Sequence, residues 1–184
     1  YYPQVSLSDK EIFAEIKKER EVIGYYSLPY VDTTVLKTRL DDLNFTQKQI
    51  AIIGIGGSTL GTYAIYNFMK YNKQHNKSLK KELFFFESTD PVNLNGTLSQ
   101  LNLSDTLFIV ISKSGTTIET ISIFKYLMSI VKIDKSNLLV ITEDDSKLNT
   151  FARANDINSF DIPKNVGGRF SVLSNVGLVP LYLA

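Results

Sequence analysis

Thr106 to Thr120 reads T-L-F-I-V-I-S-K-S-G-T-T-I-E-T, and the fold turns on this stretch. Its first half is a short run of apolar, mostly β-branched residues, the pattern of a buried strand. The second half changes period. Ile118, Ile121, Phe124, Lys125 and Leu127–Met128 recur at helical spacing, which predicts a helix starting near Thr116. Between strand and helix stand four hydroxyls, one lysine and one glycine in six residues, S-K-S-G-T-T. Free backbone N–H groups and the positive end of a helix dipole meet at such a junction, and both favour an anion. The hydroxyls of Ser112, Ser114, Thr116 and Thr117 add donors, Lys113 adds a charge, and Gly115 lets the backbone come close. A helix cap needs one hydroxyl. Four with a lysine read as a cradle for a phosphate.

The same alternation extends in both directions. Strands are predicted at Gln49–Ile55, Glu82–Glu87, Thr106–Ser112, Asn137–Thr142 and Asn158–Ile162. Helices are predicted at Ser58–Lys70, Pro91–Leu98, Thr116–Val131 and Ser146–Ala154, with a last apolar helix from about Ser174. Apolar strands separated by helices predict an α/β fold with a parallel sheet covered on both faces. Ligands of such sheets sit at the carboxyl ends of the strands. Ahead of the repeating part, Ser8-Asp9-Lys10-Glu11 is a capping-box pattern before a charged helix to about Glu21. Tyr25–Tyr30, with Pro29, reads as loop. Asp32 or Thr33 caps a second helix carrying Leu36, Leu40 and Leu43 on one face. Both helices are expected to pack on the sheet's flank, giving an N-terminal helical segment 1–46 and a main domain 47–184.

Composition sets bounds. The 184 residues suffice for one domain with a core, and 43% hydrophobic with 21% charged residues is an ordinary globular balance. A net charge of +1 gives no broad footprint for nucleic acid or an anionic membrane. The absence of cysteine excludes disulfides and thiolate chemistry and suits a reducing compartment. No apolar run approaches a membrane span of about eighteen residues. The chain begins without methionine and stops inside L-V-P-L-Y-L-A, as a domain excised from a longer protein would. Tyr71–Lys81 reads as a solvated basic loop, and His75 within it as exposed and uninvolved.

Two further turns are chemically loaded. G-I-G-G-S-T-L-G, Gly54 to Gly61, resembles a dinucleotide fingerprint but has Thr59 where the third glycine belongs. Either the glycines serve a tight turn alone, or Gly56 and Gly57 bring backbone to a sugar that Ser58 hydrogen-bonds. S-K-S-G-T-T is not a Walker loop, because Ser112 precedes Lys113 where glycine is required. N-V-G-G-R-F-S-V-L-S, Asn165 to Ser174, carries Arg169. That arginine is either a surface residue of a flexible loop, or it points into the strand-end crevice and steadies developing negative charge.

Taken together, G-I-G-G-S at 54–58, V-I-S-K-S-G-T-T-I-E-T at 110–120 and N-V-G-G-R-F-S-V-L-S at 165–174 resemble the glucose-6-phosphate isomerases of bacterial type. The S-K-S-G-T-T type of loop is shared by the wider sugar-isomerase (SIS) domain family. The resemblance implies a three-layer αβα sandwich around a five-stranded parallel sheet of flavodoxin-like topology. It implies that a second SIS domain of the parent is absent from this chain. It implies isomerisation of glucose 6-phosphate and fructose 6-phosphate through an enediol, without cofactor or metal, in a cytoplasmic enzyme of glycolysis and gluconeogenesis that is a homodimer. Ser112, Lys113, Ser114 and Thr117 would bind the substrate phosphate, with Gly115 and Thr116 in the same loop. Gly57, Ser58 and Gly168 would contact substrate, and Arg169 would stabilise the enediolate. The family's base is a glutamate downstream of the G-G-R segment, and ring opening uses a histidine and a lysine further on. Here no glutamate follows Glu143 and no histidine follows His75, so the catalytic set in this chain is incomplete. The alternative is a sugar-phosphate-sensing SIS module with no chemistry of its own.

Overall fold

The computed structural model describes residues 8–72 and 79–184; His75 lies outside them. Five parallel strands form one sheet: β1 Gln49–Ile53, β2 Glu82–Phe86, β3 Thr106–Ile111, β4 Leu138–Thr142 and β5 Asn158–Asp161, in the order β2-β1-β3-β4-β5. Every residue of β3 and β4 is buried, which is why both read as unbroken apolar runs. The helices are α1 Asp9–Val22, α2 Thr34–Leu43, α3 Leu60–Tyr71, α4 Pro91–Leu98, α5 Ile118–Ile130, α6 Lys147–Ala154 and α7 Asn175–Leu183.

Alternate strand residues build two cores. On one face Ile50, Ile52, Leu107, Ile109, Leu139 and Ile141 pack with Tyr66 of α3 and Val176 and Val179 of α7. On the other, Ile53, Phe86, Phe108, Val110 and Val140 pack with Ile123, Phe124 and Leu127 of α5 and Leu148 of α6. Burying each large aliphatic side chain contributes roughly 1.5–3 kcal/mol, so the two faces hold the sheet as the middle of three layers. Leu40 of α2 is buried in the first core, with Leu36 and Leu43 against it.

The expectation that both leading helices pack on the flank holds for α2 alone. Ser8 and Glu11 form the capping box at the start of α1, yet no residue of that helix is buried. Its apolar positions are few among charges, and Phe13 is left exposed. Thr33 holds the N-cap position of α2 but its side chain accepts no helix amide; Asp32 Oδ1 instead accepts from the Thr34 amide at 2.9 Å. Tyr25–Tyr30 is not plain loop but two short 3-10 turns, Gly24–Tyr26 and Leu28–Tyr30. Elsewhere most elements stop a residue or two inside the expected bounds, while α4 matches them and α3 runs one residue further, to Tyr71. Gly56–Ser58 forms a 3-10 turn ahead of α3, Ser146 caps α6, and Thr117 stands at the N-cap of α5. Hydroxyls and glycines at those places close turns instead of extending helices.

β1 and β3 are neighbours, but their following helices leave on opposite faces, α3 with α7 and α5 with α6. The two loops therefore part above the sheet and open a crevice at the carboxyl ends of the strands.

Candidate functional site

A cleft of about 310 Å³ occupies that crevice. It is lined by Ile55, Gly57 and Ser58 from the first turn, Lys113, Ser114 and Thr117 from the second, Glu143 at the end of β4, and Gly168 from the third. Three segments more than fifty residues apart in the chain thus meet at one place. Ile55 and Glu143 are additions to the residues expected from sequence.

The second turn is held from below. Ser112 is buried, and its hydroxyl lies 3.0 Å from Thr117 Oγ1, so the strand end and the helix start are tied together. Thr142 Oγ1 donates to the Ser112 carbonyl at 2.6 Å, and the Thr142 and Ser146 hydroxyls lie 2.7 Å apart. The Glu143 amide donates to the Lys113 carbonyl at 3.1 Å. Gly115 takes φ +67°, and a Cβ there would lie 2.8 Å from the Leu148 nitrogen. Glycine is needed on both counts. The turn then continues through Thr116, whose hydroxyl and amide both donate to Ser114 Oγ, at 3.0 and 3.3 Å.

Thr117 stands at the N-cap but its side chain caps no amide. Among the described residues, the amides of Ser114, Thr117, Ile118 and Glu119 have no recorded acceptor. These unspent donors and the helix dipole are what an anion needs. Ser58 Oγ likewise has no partner among the described residues, while its amide is used internally, donating to the Ile55 carbonyl at 3.2 Å.

Gly57 answers the question its motif leaves open. A Cβ on Gly57 would lie 2.3 Å from the Gly168 carbonyl oxygen. Two loops cross there with backbone against backbone, so this glycine serves a close approach as well as lining the cleft.

The third segment is braced on several sides. The Gly24 amide donates to the Asn165 carbonyl at 3.0 Å, and the Phe170 ring stacks on Tyr25 with centroids 4.7 Å apart. Ser171 Oγ donates to the Gly168 carbonyl at 2.7 Å. The Arg169 side chain is exposed, does not line the cleft, and makes no hydrogen bond or ion pair among the described residues. Lys113, read from sequence as a charge for the anion, has its ammonium on the carbonyls of Lys164 and Val166, at 2.9 and 3.0 Å, and 3.4 Å from Glu143 Oε1. Gly115 and Thr116 line a separate apolar groove of about 540 Å³ between α5 and α6, with Phe124 and Met128.

Glu143 escaped the sequence reading because it belongs to no motif. The signal was its position, one residue past β4, beside the end of β3. Asp144, Asp145, Asp156 and Asp161 do not line the cleft. Asp144 pairs with Arg153, Asp145 with Lys164 and Asp156 with Lys135. The ion pairs hold Asp145 and Asp156 below the usual carboxylate range, whereas burial pushes Asp161 above it. Among the described residues, no group of His, Asp and Glu side chains is placed to hold a metal ion.

Residues 43–184 match the family model described as phosphoglucose isomerase. The chain belongs to the phosphoglucose isomerase family. A glucose-6-phosphate isomerase of Campylobacter jejuni is 42% identical over 168 residues, covering 86% of this chain and 40% of that protein. A probable glucose-6-phosphate isomerase of Methanococcus maripaludis is 36% identical over 176 residues, covering 91% and 39%. The chain therefore spans about 40% of the length of these phosphoglucose isomerase relatives. Among solved structures, a glucose-6-phosphate isomerase of Chlamydia trachomatis superposes with a TM-score of 0.68 at 27% identity, over 100% of this chain and 33% of that one. A tagatose-6-phosphate ketose/aldose isomerase of Escherichia coli, at 18% identity and a TM-score of 0.57, shares the sugar-isomerase fold. Outside the family match lie α1 and nearly all of α2.

Proposed function

We propose that this chain is the phosphate-binding SIS domain of a glucose-6-phosphate isomerase, which interconverts glucose 6-phosphate and fructose 6-phosphate in glycolysis and gluconeogenesis. The carrying observation is the Ser112–Thr117 turn. Its Ser114 and Thr117 line a strand-end cleft together with Ser58 and Gly168, and amides at the start of the following helix have no acceptor among the described residues, in a chain of the phosphoglucose isomerase family. The phosphate sits at the start of α5, held by Ser114, Thr117 and backbone N–H groups, and the sugar extends toward Ser58 and Gly168. A base takes the proton from C2, the electrons form an enediolate, and the proton returns at C1. Arg169 stands three residues beyond Val166 with an unbound guanidinium, and its fixed charge suits the enediolate oxygen. Glu143, the carboxylate in the cleft, is paired with Lys113, so the base in this reading is a carboxylate from outside residues 1–184, as the family resemblance implies. We further propose a cytoplasmic homodimer, on the family resemblance. A sensing module is the weaker reading, because the relatives carry isomerase names and a sensor has no use for an enediolate stabiliser.

The test uses the full-length protein. A coupled assay should register turnover of fructose 6-phosphate. Titration calorimetry should show glucose 6-phosphate binding that Thr117→Ala weakens about tenfold or more, since one charge-assisted hydrogen bond is worth roughly 1.5–3 kcal/mol. Absence of turnover and of sugar-phosphate binding together would overturn the assignment.

A further inference from the structure

We propose that Lys113 is a positioning residue that clasps the Lys164–Arg169 loop to the end of β3, and that it does not ligate the substrate phosphate. An ammonium has three N–H donors. Here three oxygens surround it: the Lys164 carbonyl at 2.9 Å, the Val166 carbonyl at 3.0 Å and Glu143 Oε1 at 3.4 Å. Two donors are spent on carbonyls, and the charge is paired with Glu143, so the ammonium is engaged by the protein and turned toward the loop. The lysine therefore bridges two of the three turns that build the cleft, its side-chain ammonium donating to backbone carbonyls.

The consequence falls on Arg169. The loop leaves β5 through Ile162, whose amide donates to the Thr142 carbonyl at 3.0 Å, and buries Val166. Two residues later it presents Gly168 to the cleft, and Arg169 is the next residue along the chain. Gly24 and Tyr25 brace the outer side of this loop, at Asn165 and Phe170. Lys113 is the brace on the inner side. Without it, the carbonyls of Lys164 and Val166 have no other side-chain donor among the described residues, and the loop keeps only the Ile162 amide, buried Val166, the exposed Lys164–Asp145 ion pair and the Gly57–Gly168 contact as ties to the sheet side. Glu143 completes the device. Its carboxylate lines the same cleft, where uncompensated it would repel a phosphate, and the Lys113 charge offsets it. Both half-buried partners are thus balanced before substrate arrives. Phosphate recognition is left to the amides and hydroxyls of Ser114–Thr117.

This inference rests on the role given to Arg169 above, and its test is built to separate the two. The variant is Lys113→Met combined with Glu143→Gln in the full-length protein, so that no bare carboxylate is left in the cleft to confuse the reading. Three measurements follow. Inhibition by inorganic phosphate is expected to stay within about twofold of wild type. The kcat for fructose 6-phosphate is expected to fall about tenfold or more, with KM changed far less. Amide hydrogen exchange across 164–170 is expected to accelerate while that of β3 stays slow. A phosphate inhibition constant raised about tenfold, or loop exchange equal to wild type, overturns the proposal. If the double variant does not fold, Lys113→Gln in the Glu143→Gln background replaces it, with the same pattern at smaller amplitude expected and the same two results decisive. Should wild type show no isomerase activity, the functional assignment fails, while phosphate titration and exchange still decide the clasp.

Discussion

Gly115→Ala tests whether the shape of the phosphate turn follows from the packing beneath it. Gly115 has φ +67°, where an L-residue is strained by roughly 1–2 kcal/mol. Its Cβ would also meet the Leu148 nitrogen at 2.8 Å and the Leu148 and Ser146 Cβ atoms at 2.9 Å. Those atoms belong to the first turn of α6 and its N-cap, which cannot rotate aside as a flexible side chain would. Overpacking of this sort costs about 1–3 kcal/mol more. The sum is about 2–5 kcal/mol, or a fall of about 4–20 °C in Tm for a chain of this size. Gly96→Ala is the internal control. It lies within α4, where an added Cβ meets nothing within 4 Å, so it should stabilise by about 0.5–1 kcal/mol. Thermal unfolding by circular dichroism reads both. Titration of Gly115→Ala with inorganic phosphate should in addition show weakened binding, because the turn must move off α6 and carry its amides with it. Equal Tm values for the two variants would refute the packing argument.

Gly57→Ala places a Cβ 2.3 Å from the Gly168 carbonyl oxygen; it should cost roughly 1–3 kcal/mol and expose the loop to trypsin after Arg169, whereas an unchanged cleavage rate would mean the loops do not touch in solution. Thr117→Ala should weaken glucose 6-phosphate about tenfold while leaving unphosphorylated glucose unaffected, and equal losses in calorimetry would show that the turn does not read phosphate. Burial, opposed by the Asp144 amide and reinforced by the Asp144 and Glu143 charges, raises the Asp161 carboxyl above its unfolded value. The folded protein then holds that proton more tightly than the unfolded chain does, so ionised Asp161 lowers stability above the folded pKa and not below the unfolded one. Asp161→Asn should accordingly raise Tm at about pH 7, with the gain shrinking toward about pH 4; a gain independent of pH would remove the titration argument.

The sheet was legible because its central strands are buried on both faces. Nothing competes with hydrophobicity at Thr106–Ile111 or Leu138–Thr142, so the apolar runs and the strands coincide. The element ends were less legible for a local reason. Hydroxyls and glycines that look like the first residues of helices at Ser58, Thr116 and Ser146 close turns or cap instead. α1 shows the opposite failure. Its caps are in place, as the sequence promised, but caps fix where a helix starts and not whether a partner covers it.

The candidate site divides along the same line. Backbone chemistry could be read directly. Gly115 and Gly57 each stand where only glycine fits, and Ser112, Ser114 and Thr117 sit in the turn that the strand-to-helix switch placed there. Long side chains could not be read so. A lysine within an anion-binding motif carries the right charge, but four carbon atoms of stem let its ammonium choose among partners several ångströms apart. At Lys113 that choice is set by two carbonyls of a loop some fifty residues downstream and by Glu143, which no motif contains. The carbonyls come from Lys164 and Val166, positions whose side-chain types have no bearing on the contact. Sequence pattern carries no record of a backbone acceptor, so the residue type gave the chemistry and only the fold could give its direction. Arg169 differs in that its guanidinium has no partner among the described residues to hold it in one place. Its contribution to an enediolate therefore depends on where its backbone is pinned. That makes the loop beneath it, with Lys113 on one side and Tyr25 on the other, part of the chemistry.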